Sequence, residues 1–123
     1  MGTIGLEDIR ERLKYKDVDV GTSRTDVFSE NVPEQVKRHI VKIILIGPGS
    51  AVTVDIEKKK EDGTYEMIFN GYNVGASDNE WLPPGNINLE HPLVVLEGGT
   101  NLTLTGSAAL AATIIYWDDE LSA

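Results

Sequence analysis

The fold is decided by residues 92–117, which read PLVVLEGGTNLTLTGSAALAATIIYW. Glycines and small residues divide this stretch into three runs, residues 92–96, 101–105 and 111–117. In the middle run leucine and threonine alternate, and a period of two is the pattern of a strand with one buried face. The stretch therefore predicts three consecutive β-strands, with the leucines of the middle strand facing inward.

Strand patterns continue towards the N-terminus. Residues 36–46 form an apolar-rich run before a Gly-Pro-Gly breaker, and we expect burial on both faces towards the end of this run. Residues 51–59 alternate cleanly, with their valines and isoleucine inward, and residues 64–69 follow a Glu-Asp-Gly hairpin turn. Residues 71–80 are rich in Gly, Asn, Ser and Asp and predict a loop, and residues 81–82 form a short strand after it.

The number and spacing of these runs predict an all-β fold. Seven or eight strands recur at the interval of about 8–12 residues that is typical of a sandwich or barrel. No helical stripe of useful length follows residue 35, which argues against a parallel βαβ architecture. A chain of 123 residues also fits one domain. We therefore predict an antiparallel β-sandwich, jelly-roll-like, over residues 36–123, with residues 1–35 as an N-terminal arm that contains a short helix.

The arm carries four apolar residues that could anchor it. Leu6, Ile9 and Leu13 lie at i, i+3 and i+7, which is one stripe of a short helix. A helix of about 10 residues is marginal alone and must dock on a larger surface. Phe28 anchors the polar segment that follows the helix. The arm can fold against its own domain or reach a neighbouring subunit, and we treat these four residues as a possible assembly arm.

The charge of the chain is acidic and unevenly distributed. Acidic side chains outnumber basic ones by 20 to 11, for a net charge of −9, which argues against a nucleic-acid partner because phosphate binding needs positive charge. All 11 basic residues lie in residues 1–60, whereas residues 61–123 contain only acids among their charged residues. Such asymmetry marks an interaction surface, unless strands from the two halves interleave and mix the charge.

Several functional classes find no support in the sequence. There is no cysteine, which excludes disulfides and thiol catalysis. The first residues lack a basic patch followed by an apolar run, so we expect no signal peptide, and no segment is apolar enough to span a membrane.

Candidate chemical groups are few. Asp78 with Glu80, and residues 118–120, are the carboxylate clusters that an acid–base hydrolase would need in a cleft. Both clusters fall in predicted loop or tail positions, where solvated acids are the default. His39 and His91 have no companion at the spacing of metal ligands. We expect no catalytic residue, no cofactor and no metal, and therefore no enzyme.

Two aromatic residues flank the loop predicted over residues 71–80. Tyr72 and Trp81 could together present an exposed platform, since aromatic side chains combine a large apolar surface with a polar group. Such a platform would define a carbohydrate- or cell-surface-binding module. For the aromatic residues Phe69 and Trp117, core packing is the stronger alternative.

A succession of strands and turns carries a family resemblance over residues 36–120. An apolar strand, Glu-Gly, a strand of alternating Leu and Thr, small residues, and a strand ending in aromatics and acids follow one another. In this pattern the chain resembles small β-sandwich structural proteins of tailed bacteriophages and related archaeal viruses, in head decoration, fibre and tail roles. The segments that carry the resemblance are TVDIE at residues 53–57, EDGT at 61–64, MIFNG at 67–71, PLVVLEGGTNLTLT at 92–105 and AATIIYWD at 111–118.

The resemblance implies a non-enzymatic viral structural protein. Similar proteins self-associate, often as trimers or larger rings, and attach to a capsid or tail lattice. The partners would be further copies of the chain and other virion proteins, and the location would be the virion, assembled in the host cytoplasm. The carbohydrate-binding module and the acid–base hydrolase stay open as alternatives.

Overall fold

The computed structural model describes residues 6–87 and 89–120, and for residues 6 and 7 it describes the backbone only. Within these ranges the chain forms one short helix and nine strands. They are α1 (Leu6–Arg12), β1 (Lys14–Val20), β2 (Thr25–Asp26), β3 (Val36–Ile46), β4 (Val52–Lys59), β5 (Tyr65–Val74), β6 (Asn79–Leu82), β7 (Val94–Leu96), β8 (Asn101–Gly106) and β9 (Leu110–Glu120).

The strands form two sheets. Sheet A has the order β1-β9-β3-β6, with β7 also paired to β3, and sheet B has the order β2-β8-β4-β5. All the strand pairs of the described ranges are antiparallel. The prediction of a mainly β chain built from antiparallel sheets is confirmed.

One large hydrophobic cluster contains residues of both sheets. Val54 and Ile56 of β4 and Leu102 and Leu104 of β8 are fully buried in it, as their alternation predicts. Ile114 of β9 joins them from sheet A. Alternation places every second side chain of a strand on one face, so the opposite face of each sheet points away from this cluster. We call these opposite faces the outer faces of sheet A and sheet B.

The arm predicted over residues 1–35 contributes to both sheets of its own chain. β1 pairs with β9, and β2 pairs with β8. Val18 and Val20 of β1, together with Phe28, belong to the same cluster as the core of residues 36–120. The alternation of valine with aspartate in β1 explains this, because it gives the strand an apolar face that sheet A buries. The boundary predicted at residue 35 therefore passes through one continuous core.

The loop predicted over residues 71–80 is wrong for most of its length. β5 continues to Val74, and β6 begins at Asn79. Gly71 has a φ of +65°, and its amide donates a hydrogen bond of 2.7 Å to the Asp55 carboxylate. A glycine in this conformation allows a bulge, and the register of β4 against β5 does shift beside it. The strand bends there and does not end.

The two charge halves of the sequence are mixed in space. Each sheet contains strands from both sides of residue 60. Arg38 of β3 pairs with Asp118 of β9 at 2.7 Å, and Lys58 of β4 pairs with Glu97. Strands from the two halves of the sequence therefore interleave in the fold, and the charge asymmetry of the sequence does not become two separate charged sides.

Candidate functional site

The strand registers arrange the outer face of sheet A in rows. Each row takes one residue from each strand, because directly paired residues of antiparallel strands lie on the same face. Moving along β9, the rows begin with Trp117 and end with Ala111. The rows are His39 and Trp117; Lys42, Ile115 and Tyr15; Trp81, Ile44, Thr113 and Asp17; and Asn79, Ile46, Ala111 and Asp19.

One half of this outer face is covered. Ile9 of α1 packs on Val41 and Trp117 in a small second cluster, with Leu13 and Leu89 beside it. A helix of seven residues has little stability alone, so this apolar contact is what holds α1 on the sheet. We call the rows of Trp117 and Ile115 the covered half, since both of these side chains are about 95% buried or more; at the β1 edge of the Ile115 row, Tyr15 is 66% exposed.

The other half of the outer face is open. Trp81 is 47% exposed and Ile46 is 39% exposed, and Ile44 between them is half-buried. We call the rows of Trp81 and Ile46 the open half. The expectation that residues 36–46 are buried on both faces towards their end is wrong here, because within residues 6–87 and 89–120 no second layer covers the end of β3. Contiguous exposed apolar side chains mark a contact surface more often than isolated ones do.

The buried side chain of Lys42 lies next to the Trp81 ring and binds the turn that follows β6. Lys42 is 0% exposed, and its ammonium donates hydrogen bonds to the carbonyls of Pro83, at 2.7 Å, and Gly85. It lies 5.5 Å from the centre of the Trp81 ring. Burial lowers the pKa of Lys42, and the two carbonyls compensate for lost hydration. The lysine thus fixes the turn after β6 and the indole that precedes it.

Two aspartates of β1 border the open half opposite Trp81. Asp17 and Asp19 are both exposed. Thr113 donates a hydrogen bond of 2.8 Å to the Asp17 carboxylate, which orients it on the face. Within the described ranges neither aspartate forms an ion pair. The open half therefore presents an apolar floor with an indole on one side and two carboxylates on the other.

The outer face of sheet B is polar and satisfies its own charges. Arg24 binds the nearly buried carboxylate of Glu57 through two nitrogens, at 2.9 and 3.2 Å, and lies 3.8 Å above the Tyr65 ring. Burial of Glu57 is tolerated because the guanidinium matches both carboxylate oxygens. Lys59 and Asp26 form a further pair at 3.6 Å. This face offers a partner few unpaired groups.

The predicted pair Tyr72 and Trp81 does not form one platform. Tyr72 packs against the main cluster and meets the Phe69 ring edge-on at 5.7 Å. Burial, with the nearby Glu80 carboxylate, raises the pKa of the Tyr72 hydroxyl. Trp81 follows Glu80 in β6 and therefore points to the opposite side of sheet A. Of the two residues, Trp81 is the one available to a ligand or partner.

The four residues of the predicted assembly arm lie in different environments. Phe28 is buried in the main cluster, 5.0 Å from the Tyr116 ring. Ile9 is buried in the second cluster, and Leu13 lies partly buried beside it. The Leu6 side chain lies outside the part that the structure describes. Phe28 and Ile9 are thus engaged within their own chain.

The covered half contains a stacked pair with unsatisfied nitrogens. The rings of His39 and Trp117 are parallel and 4.2 Å apart. His39 Nε2 and Trp117 Nε1 are buried without a hydrogen-bond partner. Burial lowers the pKa of His39, against the opposing effect of Asp119. The neutral imidazole is therefore the form that this environment favours.

The carboxylate cluster of residues 118–120 borders an open cleft of about 290 Å³, which Asp118 and Glu120 line together with Arg12 and Lys14. Asp118 is held by Arg38 through two hydrogen bonds. Arg38, Phe28 and Tyr116 border an open cleft of about 270 Å³. The described part of the chain contains no group of three or more acidic or histidine residues placed to hold a metal ion. It also contains no helix long and apolar enough to cross a membrane.

Comparisons with known proteins add no relative. No protein-family description, curated protein or solved structure matches the chain. Sequence reasoning had singled out Trp81, but it missed Lys42, Asp17 and Asp19. A lysine inside an apolar run was the available signal for Lys42, whereas Asp17 and Trp81 meet in one row only through the pairing of β1, β9, β3 and β6.

Proposed function

We propose that the chain is a non-enzymatic viral structural protein that self-assembles and attaches to a capsid or tail lattice, in a decoration, fibre or stabilising role. The attachment surface is the open half of the outer face of sheet A. The viral assignment rests on the resemblance of residues 36–120 to phage and archaeal virus structural proteins. The attachment surface rests on the structure of the face itself.

The observation that carries the proposal is the exposure of Trp81 and Ile46 on the outer face of sheet A. Lys42 holds the turn beside the indole, so the ring is positioned before any partner arrives. A positioned aromatic side chain loses little conformational entropy on contact, which is why such residues anchor interfaces.

The strand order supports a jelly-roll arrangement for the two sheets. Successive strands β1 to β4 alternate between sheet A and sheet B, β5 and β6 reverse that order, and β8 and β9 complete the two sheets. Jelly rolls of eight strands occur in viral capsid and lectin domains. In this arrangement α1 is a short addition to the outer face of sheet A.

Co-expression with neighbouring genes of the same genome tests the proposal. We expect genes for capsid or tail proteins nearby, and we expect the chain to sediment with the particles that those genes produce. Trp81→Ser should release the chain from the particles. Met67→Ser is the matched control, because Met67 is 46% exposed but lies on the outer face of sheet B, and this variant should still sediment.

Self-assembly is tested on the purified full chain. Native mass spectrometry at increasing protein concentration should show a homo-oligomer, with a trimer as the first expectation. A chain that stays monomeric and fails to sediment with particles contradicts the proposal. Deletion of residues 1–31 is unsuitable here, because it removes β1 and β2 from the sheets.

A carbohydrate- or cell-surface-binding module is the second candidate, and the exposed Trp81 ring is the observation that favours it. Tyr72 gives it no help, since this side chain packs inward. Glycan-array binding by the wild-type chain that is lost in Trp81→Ser and kept in Met67→Ser would favour this candidate over lattice attachment.

A further inference from the structure

The open half is wide enough across its strands to accept a helix. Trp81 on β6 and Asp17 on β1 are separated by three strand spacings, which amounts to about 14 Å. A helix with its side chains is about 10 Å across. The floor between them consists of Ile44 and Thr113 in one row, with Ile46 in the next. A helix lying along β3 and β9 would fill this width.

The same outer face already binds a helix. α1 lies over Trp117 and Val41 in the covered half through Ile9. The open half continues the same strands, β3 and β9, beyond the reach of that contact. A second helix packed there would complete the layer that α1 begins.

The charges of the open half select the kind of helix. Asp17 and Asp19 are exposed and form no ion pair among the described residues, and Lys42, in the adjacent row of Ile115, is inaccessible. Side chains two apart on one strand face are separated by about 7 Å. Basic residues one turn apart on a helix are separated by about 5–6 Å. One basic flank can therefore reach both carboxylates.

We propose that the open half binds an amphipathic helix of another protein chain, with an apolar stripe on Ile44, Ile46 and Trp81 and a flank of Lys or Arg on Asp17 and Asp19. The inference rests on the proposed function, since it names the partner at the attachment surface. It is a different chain and not a second copy, because α1 is the one helix of the described residues and its apolar residue Ile9 is already buried on its own sheet.

A designed peptide tests this directly. The probe is a 15-residue helix with a leucine stripe and lysines one turn apart along one flank, and its control has the same composition in scrambled order. Binding is followed through Trp81 fluorescence, which should shift to the blue with the designed helix and not with the scrambled one. Trp81→Ser should lose binding, measured in that variant by calorimetry.

The charge requirement needs a matched control for net charge. Asp17→Asn with Asp19→Asn should weaken binding of the designed helix about fivefold, as expected for two exposed pairs. Glu30→Gln with Glu34→Gln removes the same charge from exposed positions elsewhere and should leave binding unchanged. Equal weakening in both double variants, binding that ignores Trp81→Ser, or no binding to the wild-type chain overturns the inference.

The two proposals fail separately. If particle attachment depends on Trp81 but the designed helix binds regardless of Asp17 and Asp19, the attachment surface stands and the helix inference falls. If the chain never sediments with particles while the designed helix binds as described, the helix-binding surface stands and the viral role falls.

Discussion

The outer face of each sheet exposes a large apolar side chain to nearly the same extent, Met67 on sheet B and Trp81 on sheet A. The residues paired with these two side chains are polar on sheet B and apolar on sheet A. Met67 on sheet B lies beside Glu57 and Arg24, which neutralise each other and cover their own sheet. Trp81 on sheet A lies beside Ile44 and across from Asp17, which forms no ion pair in the described part of the chain. On a polar outer face, ion pairs between neighbouring side chains neutralise the charges, whereas apolar side chains on an outer face leave water only when another segment or another chain covers them. On sheet A such a segment covers one half of the face.

The largest effect separates the two tryptophans of sheet A. Trp117→Ala should lower the free energy of unfolding by about 3–5 kcal/mol, because it leaves a cavity under α1. Trp81→Ala should lower it by less than about 1 kcal/mol, because the side chain lies on the open half. Urea unfolding of both variants provides the measurement. Similar losses in the two variants would mean that the halves do not differ.

A smaller effect concerns the ion pair that covers sheet B. Arg24→Met should lower the thermal midpoint, because the nearly buried Glu57 carboxylate then loses its partner. Lys37→Met is the control, since Lys37 is exposed on sheet A without an ion pair in the described ranges. Differential scanning calorimetry should show a lower midpoint for Arg24→Met alone. Equal midpoints for the two variants would mean that the ion pair of Arg24 with Glu57 does not stabilise the outer face of sheet B.

The smallest effect is a pH dependence of the covered half. The pKa of His39 is lowered by burial, so the unfolded chain binds more protons between that lowered pKa and about 6.5. Stability in this window therefore rises with pH and falls on acidification. His39→Phe keeps a ring on Trp117 without the titrating group. As pH decreases from about 7 to about 5, the free energy of unfolding of His39→Phe should increase relative to that of the wild type.

Chemical denaturation of both proteins across this pH range gives that difference. Other titrating groups, His91 included, are common to the two proteins, so their contributions cancel to first order. This prediction would be contradicted if the difference in free energy of unfolding between the two proteins stayed constant with pH, or if it changed in favour of the wild type. Either result would mean that the covered half accepts the charged imidazolium of His39.

The inner faces of the sheets could be predicted from the sequence because alternation is a local signal. Val54 and Ile56, like Leu102 and Leu104, needed only their neighbours in the chain to be assigned inward. Gly71 misled the prediction, because a glycine among polar residues indicates a loop, whereas here the Gly71 amide donates a hydrogen bond to the Asp55 carboxylate and the residue stays in the sheet.

The division of the outer face could not be predicted, because it depends on contacts between distant segments. Ile115 and Ile44 are apolar residues of the same outer face, and the chain order does not say which of them lies under another layer. Burial of the covered half depends on where α1 and Leu89 lie. The pairing of Asp17 with the row of Trp81 joins residues 64 positions apart. The sequence suggests Trp81 as one half of a platform with Tyr72, but Tyr72 packs against the main cluster whereas Trp81 is exposed on the outer face of sheet A.

Oxidative footprinting of the assembled chain tests the central claim most directly. Trp81 and Met67 are both reactive towards hydroxyl radicals and have nearly equal exposure in the free chain, so each serves as the reference for the other. Mass spectrometry of the chain, free and on its particle, should show that attachment protects Trp81 and leaves Met67 as reactive as before. Protection of Met67 with an unprotected Trp81 would contradict the assignment of the open half as the attachment surface.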